Sequence, residues 1–289
     1  MDAKKRINKV RLKRILETLC NMVLLGILTI TVVVGLRVFL FASFKIPSSS
    51  MEPALLPGDC IIVNKLIPGP RIDWWPGKNN DNSYRIDGSR PLHRNDVLVF
   101  NYPYQNPNKI EKKLNLYYVK RCIAIPKDTF YIEEGAYKVK GVSGILGNSK
   151  YQKEILNYPD IKNFKPRMYQ GLDWTITSFG PIFIPGKGTT VILDSINIKV
   201  YKNLIEYESK GILTTNENSF FIDSTLLHQY TFKQNYYFVA GDFALDSKDS
   251  RYWGLLPEDL IVGKASFIWK SIYPNTNKYR FDRFFKSIN

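Results

Sequence analysis

From Thr18 to Leu36 the chain carries no charge, and the apolar character resumes after Arg37 and runs to Phe44. At 1.5 Å per residue the uncharged stretch alone covers roughly the 30 Å hydrocarbon core of a bilayer, so it predicts one membrane-spanning helix rather than a buried core helix. A cleaved signal peptide fits poorly: the segment is too long, and Leu40 and Phe41 stand two positions before Ala42 and Ser43, leaving no small-x-small site. The segment reads as an uncleaved anchor, with Arg37 near enough to its outer end to snorkel to the headgroups.

Beyond Phe44 the pattern changes to short apolar runs separated by Pro, Gly and Asn. Cys60–Val63, Asp96–Phe100, Leu116–Lys120, Phe130–Ile132, Thr190–Leu193, Ser219–Ile222, Asn235–Val239 and Lys264–Trp269 all read as strands. The body is therefore expected to be mainly β and antiparallel. One interruption is helical: Ile196, Val200, Leu204 and Ile205 recur at helical spacing behind Asp194-Ser195, a suitable cap. Trp74 to Arg90 reads as a long loop, and residues 142–166 fit no element. No internal repeat is visible.

Charge settles the orientation. The formal net charge is +15. Lys4, Lys5, Arg6, Lys9, Arg11, Lys13 and Arg14 crowd ahead of the apolar segment, with Asp2 as the single acid among them. A nucleic-acid arm and a topology signal compete for such a cluster, and its position directly before a span favours topology. The expected organisation is a basic cytoplasmic tail over 1–15, an anchor over 16–44 and an extracytoplasmic domain over 45–289. The bilayer is thus an expected partner and nucleic acid is not.

Candidate chemistry begins two residues after the apolar run, in Ile46-Pro-Ser-Ser-Ser-Met-Glu-Pro-Ala-Leu-Leu-Pro-Gly-Asp59. Prolines restrict the backbone around Ser48, Ser49 and Ser50, placing these hydroxyls on a turn rather than in a helix or central strand. A held hydroxyl is a candidate nucleophile, but a Ser/Pro run is also what a linker leaving a bilayer looks like. His93 and His228 are isolated, so a Ser-His-Asp triad lacks an obvious histidine. Lysine is the alternative base when it can be deprotonated, and Lys120 lies within an apolar strand, on the side of Tyr118 and Cys122. A solvated lysine at a strand end is the competing reading. No metal or cofactor motif occurs; Cys60 and Cys122 could be bridged outside the cell or remain buried free thiols.

Four segments together resemble the conserved boxes of bacterial type I signal peptidases, in that family's order. They are Pro47 to Asp59, Arg94 to Pro103, Tyr118-Val-Lys-Arg-Cys-Ile-Ala-Ile-Pro-Lys-Asp128 and Gly241-Asp-Phe-Ala-Leu-Asp-Ser-Lys-Asp-Ser-Arg-Tyr-Trp-Gly-Leu-Leu-Pro-Glu258. Gly263-Lys-Ala265 resembles the strand that follows. The resemblance implies a membrane-anchored Ser-Lys endopeptidase that removes signal peptides from exported preproteins after a small-x-small site. It further implies an antiparallel β-barrel-like catalytic core with an inserted lobe at about 140–232, single-pass insertion in the bacterial cytoplasmic membrane, and proximity to the export translocon.

By the same resemblance Ser50 is the nucleophile, Lys120 the general base, and Ser48 the hydroxyl that joins the Ser50 N–H in the oxyanion hole. Ser247 matches the hydroxyl that orients the lysine, Asp249 and Arg251 a supporting ion pair, and Asp242 and Arg121 further structural positions. No cofactor is implied. Phe243 stands where the family usually has Asn, Lys127 where a Gly is common, and Ala54 where Thr is frequent; Lys127 would be strained if its turn needs a positive φ. A catalytically impaired relative acting as a membrane-tethered binding module is the alternative. A soluble repressor-type Ser-Lys protease conflicts with the anchor. Trp74, Trp75, Phe281, Phe284 and Phe285 are candidates for contact with lipid.

Overall fold

A computed structural model describes residues 2–72, 84–104, 106, 109–112, 115–216 and 219–288, with backbone alone for 2–12. Trp74 and Trp75, and most of the loop expected to run to Arg90, lie outside these residues. The chain begins with a helix over Asp2–Phe39. Its segment Lys13–Phe39 is long and apolar enough to cross a membrane, and its most apolar stretch is not buried by the rest of the protein. The helix ends earlier than the apolar pattern does. After Leu40 the chain turns directly into strand β1, Phe41–Lys45, whose apolar residues had read as a continuation of the span. Lys65 closes the junction: its N–H donates to Leu40 O at 2.9 Å and its ammonium to Arg37 O at 2.8 Å. Those carbonyls have no partner within the helix, and a cation there also suits the negative end of the helix dipole.

The main sheet contains β1, β2 (Asp59–Asn64), β3 (Val97–Asn101), β4 (Tyr117–Ala124), β5 (Tyr236–Ala240), β6 (Leu256–Pro257) and β7 (Ile261–Ser271). Their spatial order is β1-β2-β7-β3-β4-β5-β6, and every pairing is antiparallel. β7 bridges β2 and β3 and is bulged against both, which increases local twist. Among the described residues β1 and β6 do not pair, so the expected barrel-like core is not a closed barrel. Among these residues one edge of β1 is unpaired.

Two cores meet across β3, whose residues are all buried. Successive side chains point to opposite faces, so Val97 and Val99 join Ile46, Met51, Leu55, Ile61 and Val63 on one side. Leu98 and Phe100 join the larger core of Phe130, Phe179, Phe232 and Phe238 on the other. The first core lies beneath the serine turn. The second is shared with smaller sheets, one formed by Thr129–Glu133, Ala136–Val139 and Phe179–Phe183 and another by Leu213–Asn216, Ser219–Ile222 and Thr225–Leu227.

The expected helix is present over Asn197–Ser209, with Leu204 and Ile205 buried and Asp194 Oδ1 accepting from the N–H groups of Ile196 and Asn197. Residues 142–166, left without an element above, contain short helices at Ser149–Glu154 and Pro159–Lys162. Cys60 and Cys122 are both free thiols, Cys122 fully buried. Lys127 does adopt a positive φ of 74°.

Candidate active site

The serine turn is held closed at its base. Ile46 N–H donates to Asp59 O and Gly58 N–H to Ile46 O, both at 2.8 Å, while Met51 and Leu55 sink into the core. Gly58 has φ +94°, and a Cβ there would lie 2.0 Å from Ile272 O, so only glycine fits. The Asp59 carboxylate gathers Leu56 N–H at 2.8 Å, Ser271 Oγ at 2.6 Å and the Arg283 guanidinium at 2.6 Å. Burial alone would raise the Asp59 carboxyl, but the hydrogen bonds from Arg283 and Leu56 outweigh it and the net shift is downward. Arg283 also donates to Ala54 O, and Arg280 to Pro57 O. Sequence reading missed this cluster because its members lie at opposite ends of the chain.

Of the three serines, Ser50 is buried and Ser48 exposed. Lys120 extends from β4, 4% exposed, and its Nζ lies 2.6 Å from Ser50 Oγ. Burial lowers the lysine from its usual 10.5 to about 8, against the opposing pull of Asp249. Ser48 Oγ is 3.4 Å from Ser50 Oγ. Ser49 instead donates to the carboxylate of Asp246, a contact the sequence did not suggest because Asp246 reads as an ordinary loop acid.

Behind the lysine, the loop after β5 supplies a buried polar cluster. Ser247 Oγ donates to Asp249 Oδ2 at 2.7 Å, Gly241 N–H donates to the same oxygen at 3.0 Å, and Arg251 Nε and Nη2 both donate to the carboxylate at 2.8 Å. Ser247 makes no hydrogen bond to Lys120 among the described residues. Asp249 and Arg251 are fully buried. Desolvation would raise the Asp249 carboxyl, and the Arg251 charge overcomes it, so the carboxyl ends below its usual range. Gly241 lets this loop approach the serine turn: a Cβ there would lie 2.3 Å from Ser247 Oγ and 2.5 Å from Ser50 O. Arg121, next to Lys120, forks onto Asp242 at 2.7 and 2.6 Å. Phe243 N–H donates to Ser50 O at 3.1 Å, and the Phe243 ring meets Tyr151 edge-on, so the departure at 243 fills a contact with the 149–154 helix without entering the Ser50–Lys120 pair.

Of the eight expected site residues, Ser48, Ser50 and Lys120 line one cleft of about 360 Å³, and the other five do not line it. Its walls are Phe44 to Pro47 from β1 and its extension, and Leu116 to Lys120 from β4. On these walls the Phe44 and Tyr117 rings meet, earlier in each segment than the Ser50–Lys120 pair.

The family model described as signal peptidase, peptidase S26 matches residues 19–270. A signal peptidase I of Aquifex aeolicus is 30% identical over 258 residues, covering 84% of this chain and 81% of the relative. Signal peptidase I of Haemophilus influenzae is 29% identical over 275 residues, covering 90% and 73%. One from Buchnera aphidicola is 28% identical over 265 residues, covering 87% and 75%.

Proposed function

This chain belongs to the signal peptidase, peptidase S26 family, and from that premise we propose that it is a membrane-anchored serine endopeptidase that removes signal peptides from exported preproteins. The observation that carries the mechanism is the 2.6 Å approach of two buried groups, Ser50 Oγ and Lys120 Nζ. A neutral lysine there takes the Ser50 proton as Oγ attacks the scissile carbonyl. The oxyanion is received by the Ser50 N–H, which makes no hydrogen bond among the described residues, and by the Ser48 hydroxyl. The lysine then gives its proton to the leaving amine, the amide C–N bond breaks, and an ester on Ser50 remains. Lys120, neutral again, deprotonates the water that hydrolyses the ester. A binding module without catalysis would have no need of a lysine buried against its partner serine.

Ser247, Asp249 and Arg251 serve as the support behind Lys120, and Arg121 with Asp242 fixes the strand beside it. The substrate lies extended in the cleft beside the unpaired edge of β1, with small side chains one and three residues before the cut against its apolar walls. Residues 140–232 form the inserted lobe on this reading. Purified protein in detergent should cleave a preprotein carrying an Ala-x-Ala site. Ser50→Ala should abolish that cleavage, Ser48→Ala should lower kcat by about 10²–10³ as for loss of an oxyanion donor, and Ser49→Gly should be mild. Small, equal effects at the three serines would reduce the run to a linker.

Residues 16–44 anchor the chain in the bacterial cytoplasmic membrane, with the basic tail inside and the domain from 45 outside, near the export translocon. On this reading the rings of Phe281 and Phe285, both exposed, and of half-buried Phe284 rest on lipid. A reporter fused after Asn289 should therefore be active outside the cytoplasm and one before Met1 inside. Protease protection putting the C-terminus in the cytoplasm would overturn the orientation and the export role together.

A further inference from the structure

A second cavity, of about 470 Å³, adjoins the reaction cleft. Lys248 lines both. Tyr118, on the wall of the cleft, stacks on Tyr102, on the wall of the cavity, with ring centroids 4.4 Å apart. The cavity is walled by Arg167, Lys199, Lys202 and Lys248 together with the aromatic faces of Tyr252 and Trp253, and among the described residues no carboxylate lines it. Lys199 donates to Gly171 O, and Lys202 reaches Glu206 at 3.9 Å. The heads of Arg167 and Lys248 have no partner among the described residues. Such a concentration of cations is electrostatically unfavourable unless an anion shares it.

We propose that this cavity receives an acidic side chain from the first few residues after the cut, so that the chain selects substrates on the mature side as well as on the signal side. The inference rests on the proposed peptidase activity. It follows from the direction of the cleft. The segment before the cut occupies the walls running from Phe44 and Tyr117 to Ser50 and Lys120, so the segment after the cut leaves at the Ser50 end, where Lys248 opens into the cavity. A lipid headgroup is the less suitable anion, because the strand that comes from the membrane helix, β1, lines the other cavity and contributes nothing to this one.

The test uses full-length Ser50→Ala protein in detergent and fluorescent peptides spanning an Ala-x-Ala site. One Glu is walked through about six positions after the cut and compared with Gln at each. At one or two positions Glu should bind about threefold to tenfold tighter than Gln, and the preference should shrink in high salt. Arg167→Gln should bring the ratio close to one, and Arg167→Lys should restore part of it. Equal binding of Glu and Gln peptides throughout would overturn the proposal. So would equal binding combined with Arg167-dependent attachment to phosphatidylglycerol vesicles, which would assign the cavity to lipid. The catalytic reading fails separately: an unmutated chain that cleaves none of these peptides while its Ser50→Ala form keeps the Glu preference would leave the cavity assignment standing and remove the peptidase.

Discussion

Lys120→Arg is expected to lose cleavage as completely as Lys120→Ala, although it keeps the positive charge. Arginine cannot give up its proton in the accessible range, whereas the buried lysine is lowered from 10.5 to about 8. At pH 7 that raises the neutral fraction from about 0.03% to about 9%. The rate should accordingly rise with pH as kcat/KM, through an apparent pKa near 8, and level off above it. The same burial weakens the fold: the unfolded chain holds the proton more tightly, so between about pH 8 and 10.5 stability increases with pH, and below 8 the full cost, roughly 3 kcal/mol, is present. Lys120→Met should therefore be inactive yet more stable than the natural chain at pH 7 by up to that amount, with the difference closing above pH 10.5. Denaturant unfolding across that range reads the stability and a preprotein assay the rate. Retained cleavage in Lys120→Arg would mean that the lysine supplies charge alone, and the Ser-Lys mechanism would have to be abandoned.

The second large effect is on stability. Asp249→Ala should destabilise the domain by about 3–5 kcal/mol, because it strands the Arg251 guanidinium, fully buried and with Nη1 already lacking a partner among the described residues. It also removes the acceptor of Ser247 and of Gly241 N–H. Removing both charges should hurt less than removing one: Asp249→Ala with Arg251→Met should recover a substantial part of the loss. Unfolding midpoints of the two single variants and the double variant test this. A double variant as unstable as the sum of the singles would show that the cluster acts through packing rather than through an uncompensated charge.

Most of the candidate site was legible because its members sit in short, local motifs. The prolines narrow the nucleophile to three serines and the apolar strand singles out Lys120, while the choice of Ser50 and the places of Asp249 and Arg251 came from the resemblance of whole motifs. What the sequence concealed was long-range or two-sided. β1 was invisible because Phe41 and Phe44 prolong the apolar run of the helix, and only pairing with β2 separates them. β3 and β5 are buried on both faces and lack the alternation of a half-exposed strand, yet both were legible as short apolar runs. The short helices between 149 and 162 bury little, which leaves no apolar period to read. Asp246 and Asp59 gave no signal because a loop acid looks solvated until its partners, Ser49 for one and Arg283 for the other, arrive from remote segments.

Asp59 also sets an order of assembly. The serine turn leaves the ribosome well before the groups that hold its base, Ser271, Arg280 and Arg283, which follow its contacts by 212 to 224 residues. Ordering a loop against contacts so distant in sequence carries the entropy of closing the whole intervening chain, and until they form the turn has only its local hydrogen bonds. The N-terminal helix can thus be inserted and β3 to β6 laid down before β7, which ends at Ser271, joins them to β2 and the serine turn. On the catalytic reading, the nascent protease stays inert beside the preproteins emerging with it, and the step that arms it is the docking of its own C-terminal turn.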